Sequence, residues 1–138
     1  MNTIFADTSA WLMIIDATQK SYPRAKTLYR DLLADGARVA TSNYVLVECY
    51  NRVRYTLGLR EMLKFRAMIV NAERFGTLQI FQVGRDTETA AWHILEKYDD
   101  QNFSFVDATS FALMRENKIA RAFAFDDDFR VMGFDVKP

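Results

Sequence analysis

The sequence contains one cysteine and one histidine in 138 residues. Cys49 therefore has no partner for an intrachain disulfide, and no CxxC or Cys/His ligand set is present. The lone His93 excludes an intrachain His–His zinc site and weakens any mechanism that needs a histidine base. Charge of one sign is also lacking, since 18 basic residues face 18 acidic ones and the formal net charge is zero. With no global field, contact with a polyanion must come from a local basic patch. No apolar run approaches the roughly 18 residues that suggest a membrane span. The opening Met1-Asn2-Thr3-Ile4-Phe5-Ala6-Asp7 has no basic region and meets an acid at once, unlike a signal peptide. Repeats, low-complexity tracts and linkers are missing as well. A soluble, cytoplasmic domain is the expectation.

What is present is material for a core. Half the residues are hydrophobic and 14% are aromatic, which argues against disorder. The length fits one domain spanning 1–138. Ile4-Phe5-Ala6 reads as a buried strand ending at Asp7-Thr8-Ser9, followed by a short apolar helix from Trp11 to Ile15. From Pro23, apolar residues recur every three or four positions up to Leu33, and Gly36 lies just past the last turn, as expected of a helix. Arg38-Val39-Ala40-Thr41 reads as a second strand. Ser42 or Asn43 then caps a helix whose stripe runs Val45, Cys49, Val53 and Leu57. A further helix is expected from Leu59 to Phe75, a third strand over Leu78–Val83, and a helix capped by Asp86. Another helix starts at Ser104 and runs to about Asn117. Ala122–Phe125 reads as a fourth strand, and an edge strand is expected near Phe134-Asp135-Val136. Strands alternating with helices of this length argue for an α/β domain, a parallel sheet with helices on both faces.

In open α/β sheets, ligands bind beyond the carboxyl ends of the strands. Asp7 follows the first strand and Asp126 the fourth, so both should emerge at that edge. Asp107 lies in the first turn of the helix beginning at Ser104 and should face the same crevice. Glu48 flanks the Val45–Cys49 stripe and can lean toward it from the core boundary. Gathered carboxylates repel one another, and without a counter-ion at least one tends to hold its proton. A divalent cation relieves this, and hard oxygen ligands at an open site suit Mg²⁺ or Mn²⁺. Such an ion can activate water and offset charge on a phosphodiester oxygen, chemistry that requires neither histidine nor cysteine. The residues thus point to metal-dependent phosphoryl transfer, with no indication yet of the substrate.

Each residue also has a plainer reading. Asp7 and Ser9 can serve as caps, and Ser104-Phe105-Val106-Asp107 fits a capping box. An isolated Glu48 is most often a solvated helix residue, and Asp126-Asp127-Asp128 is most often a turn. Cys49 reads as core, and His93 as structural or surface. Thr8, Ser9 and Thr109 stand near the acids and can orient them, with ordinary capping as the alternative for each. Arg52, Arg54, Arg60, Lys64 and Arg66 can guide a phosphate backbone or form a solvated face.

Taken in order, four segments resemble the successive motifs of the PIN-domain family: Ile4–Trp11, Ser42–Glu48, Ser104–Ala108, and Phe125-Asp126-Asp127-Asp128-Phe129 followed by Gly133-Phe134. The length is similar to that of the VapC toxins. The resemblance implies a three-layer α/β/α fold around a parallel sheet, and a Mg²⁺- or Mn²⁺-dependent endoribonuclease leaving a 5′-phosphate and a 3′-hydroxyl. Asp7, Glu48, Asp107 and Asp126 match the acidic quartet that holds metal, and Asp128 a further acidic position assisting through water. Homodimerisation and a small antitoxin partner are implied too. Two rivals remain: a phosphoacceptor receiver domain, which would want paired acids after the first strand, and a PIN-like RNA-binding protein without turnover.

Overall fold

The computed structural model describes residues 2–138. Five strands, β1 (Thr3–Ala6), β2 (Arg38–Ser42), β3 (Leu78–Phe81), β4 (Arg121–Phe123) and β5 (Asp135–Lys137), form one sheet in the order β3-β2-β1-β4-β5. Every pairing is parallel, as the alternation of elements led one to expect. Helices α1 (Thr8–Ile15) and α2 (Tyr22–Ala34) connect β1 to β2, and α3 (Asn43–Leu57) and α4 (Leu59–Arg74) connect β2 to β3. Both connections move the same way across the sheet, so right-handed crossovers put all four helices on one face. The return from β3 to β4 runs through α5 (Arg85–Lys97) and α6 (Phe105–Glu116), which therefore cover the other face with the short α7 (Asp128–Val131). Three layers result.

β1 and β2 are buried almost throughout, consistent with central parallel strands covered on both sides. The core continues through Trp11, Phe65, Phe111, Phe123 and Phe129, all essentially inaccessible. Cys49 lies within it and is fully buried, as its place in an apolar stripe suggested. His93 is exposed on α5.

Most helix ends fall where the sequence puts them, and the differences have local causes. Ser42, rather than Asn43, caps α3, accepting the Val45 N–H at 3.1 Å. The Asn43 amide oxygen instead accepts the Val83 N–H at 2.8 Å, where the chain has already left β3 at Phe81. The α5 cap is Gly84 rather than Asp86; Asp86 lies inside the first turn, where a carboxylate favours the positive end of the helix dipole. β4 stops at Phe123, two residues short of the expected Phe125, because the Phe125 N–H donates to a serine hydroxyl and not to the sheet. α7, four residues long, carries too little periodicity to be read from sequence.

Candidate active site

The strand order reverses direction between β1 and β4, and that switch point is where an open α/β sheet leaves a crevice. Asp7 follows β1 directly, and its backbone N–H still bonds to the Phe123 carbonyl at 3.0 Å. Asp126 lies just beyond β4, so topology brings it beside Asp7. Asp107 arrives from the first turn of α6, fixed by a reciprocal capping box. Its backbone N–H donates to Ser104 Oγ at 3.0 Å, while its Oδ2 accepts the Ser104 N–H at 3.0 Å. One oxygen therefore caps the helix and the other remains for the crevice.

Ser9 ties the two strand ends together. Its hydroxyl accepts the Phe125 N–H at 3.0 Å and donates to Asp7 Oδ2 at 3.2 Å. Of the three hydroxyls expected near the acids, this is the one that orients an acid. Thr8 acts on Asp7 through its backbone N–H; its buried hydroxyl has no partner. Thr109 Oγ1 bonds back to the Val106 carbonyl at 2.7 Å within its own helix. Replacing Ser9 by Ala would orphan the Phe125 N–H and remove a donor from Asp7. The expected loss is about 1–3 kcal/mol of folding stability, the cost of an unsatisfied buried group. Denaturant unfolding checks this, and a change below about 0.5 kcal/mol would remove Ser9 from this role.

The electrostatics link these acids to one another. Burial pushes the Asp7 carboxyl up to about 8, and the charges of Asp107 and Asp126 push in the same direction. Hydrogen bonds from the Thr8 N–H and the Ser9 hydroxyl offset this only partly. Asp107 is also raised, by burial first and then by Asp126 and Asp128, against the pull of its two bonds to Ser104. Asp128 rises through desolvation and the neighbouring charges of Asp126 and Asp127. Asp126 Oδ1 accepts the Asp128 N–H at 3.1 Å, the turn that starts α7. Asp7, Asp107, Asp126 and Asp128 thus form one electrostatically linked group.

Glu48 comes from a different element. Half-buried on α3, it shares a groove with Phe105 and Val106, the residues that lead into Asp107. Burial pushes the Cys49 thiol up, and the charges of Asp7 and Glu48 add to the rise. Among the described residues, no three Asp, Glu, His or Cys side chains stand close enough to hold a metal ion as they lie. Two of the aspartates use an oxygen on backbone N–H groups. The donor set nonetheless fits a hard divalent cation: all its atoms are carboxylate oxygens, and the buried Asp7 Oδ1 has no hydrogen-bond partner.

The basic stretch does not gather into one patch. Arg52 borders the same groove as Glu48. Lys64, beside Glu61 at 3.4 Å, faces a separate groove lined by α2 and α4. Arg54, Arg60 and Arg66 are exposed.

Residues 4–135 match the PIN domain model. The chain belongs to the PIN-domain family. It is 38% identical over 137 residues, 98% of each chain, to the 23S rRNA-specific endonuclease VapC20 of Mycobacterium tuberculosis. The crystal structure of that VapC20, described as a toxin that cleaves the sarcin–ricin loop, superposes with a TM-score of 0.83 at 36% identity, covering 95% of both chains. VapBC2 from Rickettsia felis, bound to a promoter DNA fragment, shares the fold at a TM-score of 0.65 and 15% identity, with 98% of this chain and 97% of that one covered. The reading of the sequence as a VapC-type PIN-domain nuclease is borne out, and the receiver-domain alternative falls. Among the described residues no helix is long and apolar enough to cross a membrane.

Proposed function

We propose that this PIN-domain chain is a Mg²⁺- or Mn²⁺-dependent endoribonuclease, the toxin of a toxin–antitoxin pair, cutting structured ribosomal RNA in the cytoplasm. The observation that carries this reading is the group of aspartates at the β1/β4 switch point, in a chain aligned end to end with a 23S rRNA-specific endonuclease. Asp7, Asp107 and Asp126 would hold the cation, with Glu48 joining from α3 and Asp128 assisting through water. When bound, the cation supplies the Lewis acidity that makes water nucleophilic near neutral pH and offsets charge on the phosphate.

The protein's own part is to keep these carboxylates aimed. Asp7 is fixed by Ser9 and the Thr8 N–H at the end of a central strand. Asp107 is held by Ser104 with one oxygen committed, and Asp126 by its turn to Asp128. Arg52, on the groove that also holds Glu48, attracts the RNA backbone, a local substitute for the missing net charge. A small antitoxin that covers the crevice, and pairing with a second copy of the chain, complete the reading by analogy with VapC proteins.

Incubating the purified protein with a ribosomal RNA stem-loop should give discrete cuts with Mg²⁺ or Mn²⁺ and none in EDTA, read on a denaturing gel. Cleavage that persists in EDTA would defeat the metal assignment. Binding without cleavage in Mn²⁺ would favour a non-catalytic RNA-binding protein instead.

A further inference from the structure

The acidic crevice lies past the carboxyl ends of β1 and β4; a second cavity opens where those two strands begin. It holds about 460 Å³, within the range of small-molecule sites, and is bounded by Asn2 ahead of β1, by Gln79 and Phe81 of β3, and by the Lys118–Arg121 segment that leads into β4. Gln79 and Phe81 are two apart in a strand, so both project from one side of the sheet. The stretch from Asp107 to Lys118 spans roughly 17 Å at the helical rise, which separates this cavity from the carboxylates.

No carboxylate lines the cavity, so it offers nothing to a metal ion. Lys118 and Arg121 bring two positive charges, and among the described residues neither has an acid within salt-bridge distance. The neighbouring acids are engaged elsewhere. Glu116 accepts from Thr87 Oγ1 at 3.1 Å, and Asp135, opposite Arg121 on β5, lies 3.9 Å from Lys137 Nζ. The Arg121 guanidinium donates instead to Asn2 Oδ1, a neutral group that holds it without cancelling its charge.

The backbone singles out Lys118. It follows Asn117, the cap of α6, with φ at 54°, and it is the one non-glycine residue with positive φ among the described residues. The same position after α2, α4 and α7 is Gly36, Gly76 and Gly133, each also at positive φ. α6 closes as those helices do, with the Ile119 N–H on the Met114 carbonyl at 2.8 Å. A lysine there bears backbone strain that glycine avoids, and strain kept at the rim of a cavity points to a use for the side chain. Offsetting the dipole of α6 does not require it, since Arg115 already stands in the last turn.

Two cations beside carboxamide groups and an aromatic ring suit a phosphate attached to a base that can stack. We propose that this cavity binds a nucleoside phosphate, with its phosphate on Lys118 and Arg121, its base against Phe81 and the Gln79 amide at the base edge. The site goes beyond the nuclease reading and does not rest on it. A nucleotide within RNA and a free nucleotide share this chemistry.

Calorimetric titration of the full chain in EDTA with the four nucleoside monophosphates, their nucleosides and inorganic phosphate tests it. At least one monophosphate should bind about tenfold more tightly than its nucleoside or inorganic phosphate, the gain that a charged hydrogen bond or one stacked base gives. Lys118→Gly removes the cation together with the strain. It should unfold at no lower urea concentration than wild type, yet bind that monophosphate about tenfold more weakly, and Arg121→Gln should weaken it similarly. A short single-stranded RNA on the Asp7→Asn protein separates the two sources. About tenfold weaker RNA binding on adding Lys118→Gly assigns the site to RNA, whereas unchanged RNA binding beside lost monophosphate binding assigns it to free nucleotide. Equal binding of monophosphate and nucleoside, or monophosphate binding that survives Lys118→Gly, overturns the proposal. So does equal binding of monophosphate and inorganic phosphate, which leaves the base without a role. The nuclease reading fails separately, through absence of RNA cleavage by wild-type protein with Mg²⁺ or Mn²⁺.

Discussion

Replacing Asp7 by Asn should lower RNA cleavage by about 10³-fold while making the metal-free protein more stable above neutral pH. The first effect follows from position. Asp7 sits at the end of a central strand, buried, and under the charges of Asp107 and Asp126. An amide cannot supply the negative charge that holds a divalent cation, and loss of about 4 kcal/mol of transition-state stabilisation corresponds to that fall in rate.

The second effect comes from proton linkage. The Asp7 carboxyl in the folded protein titrates at about 8, against an ordinary value of 3.8. Between those values the unfolded chain has released the proton and the folded chain still holds it. Stability therefore falls as pH rises through that window, and the fall is complete once the folded carboxyl has ionised. Asn has the same shape and no charge, so it escapes this loss. The gap between the variants should be small near pH 4 and reach on the order of 2–4 kcal/mol by pH 8, or about 5 °C or more in Tm. Melting curves in EDTA at pH 5 and pH 8 check it, and a gap that does not grow with pH would refute the buried-charge account. Adding Mg²⁺ or Mn²⁺ should raise the Tm of wild type alone, because a ligand stabilises only the form that binds it.

The same crevice shows why some of the molecule could be read from sequence and some could not. Asp7 and Asp126 were legible because each directly follows a short apolar run, and strand ends in a parallel sheet share one edge. Asp107 was legible through Ser104, since a capping box is a contact between residues three apart. The place where β4 ends was not legible, because a hydroxyl 116 residues away decides it. Ser9 was legible as a residue able to orient Asp7, but its bond to Phe125 was hidden for the same reason, since that bond exists only once β1 and β4 are adjacent. How far the Glu48 side chain reaches was not legible, because a helical periodicity gives only the face that a residue occupies. The Trp92–Phe105 pair joins residues on two different helices, and no local pattern signals such a contact. The scattered basic residues illustrate the converse. Arg52 and Lys64 look like one stretch, yet Gly58 breaks the helix between them and sends them to separate grooves.

The largest stability loss is expected at Trp11, an uncharged residue one helical turn after Asp7. Trp11 is fully buried, with Tyr29 at 5.7 Å edge-on and Phe65 at 6.0 Å. Its Nε1–H donates to Thr41 Oγ1 at 3.2 Å, and the Thr41 hydroxyl donates in turn to the Ala6 carbonyl at 3.0 Å. One side chain thereby fastens α1 to β2 and to the last residue of β1, the residue just before Asp7. Trp11→Ala removes the ring, leaves a cavity among Tyr29 and Phe65, and deprives Thr41 of its donor. The expected cost is about 3–5 kcal/mol, a large share of the 5–15 kcal/mol a domain has in total. Trp11→Phe keeps most of the packing and loses the N–H, so its cost should be about 1–2 kcal/mol. Urea unfolding with both variants separates the packing contribution from the hydrogen bond. If Phe costs as much as Ala, the bond to Thr41 outweighs the packing. If Ala costs less than about 2 kcal/mol, α1 does not depend on this residue to hold Asp7 in place.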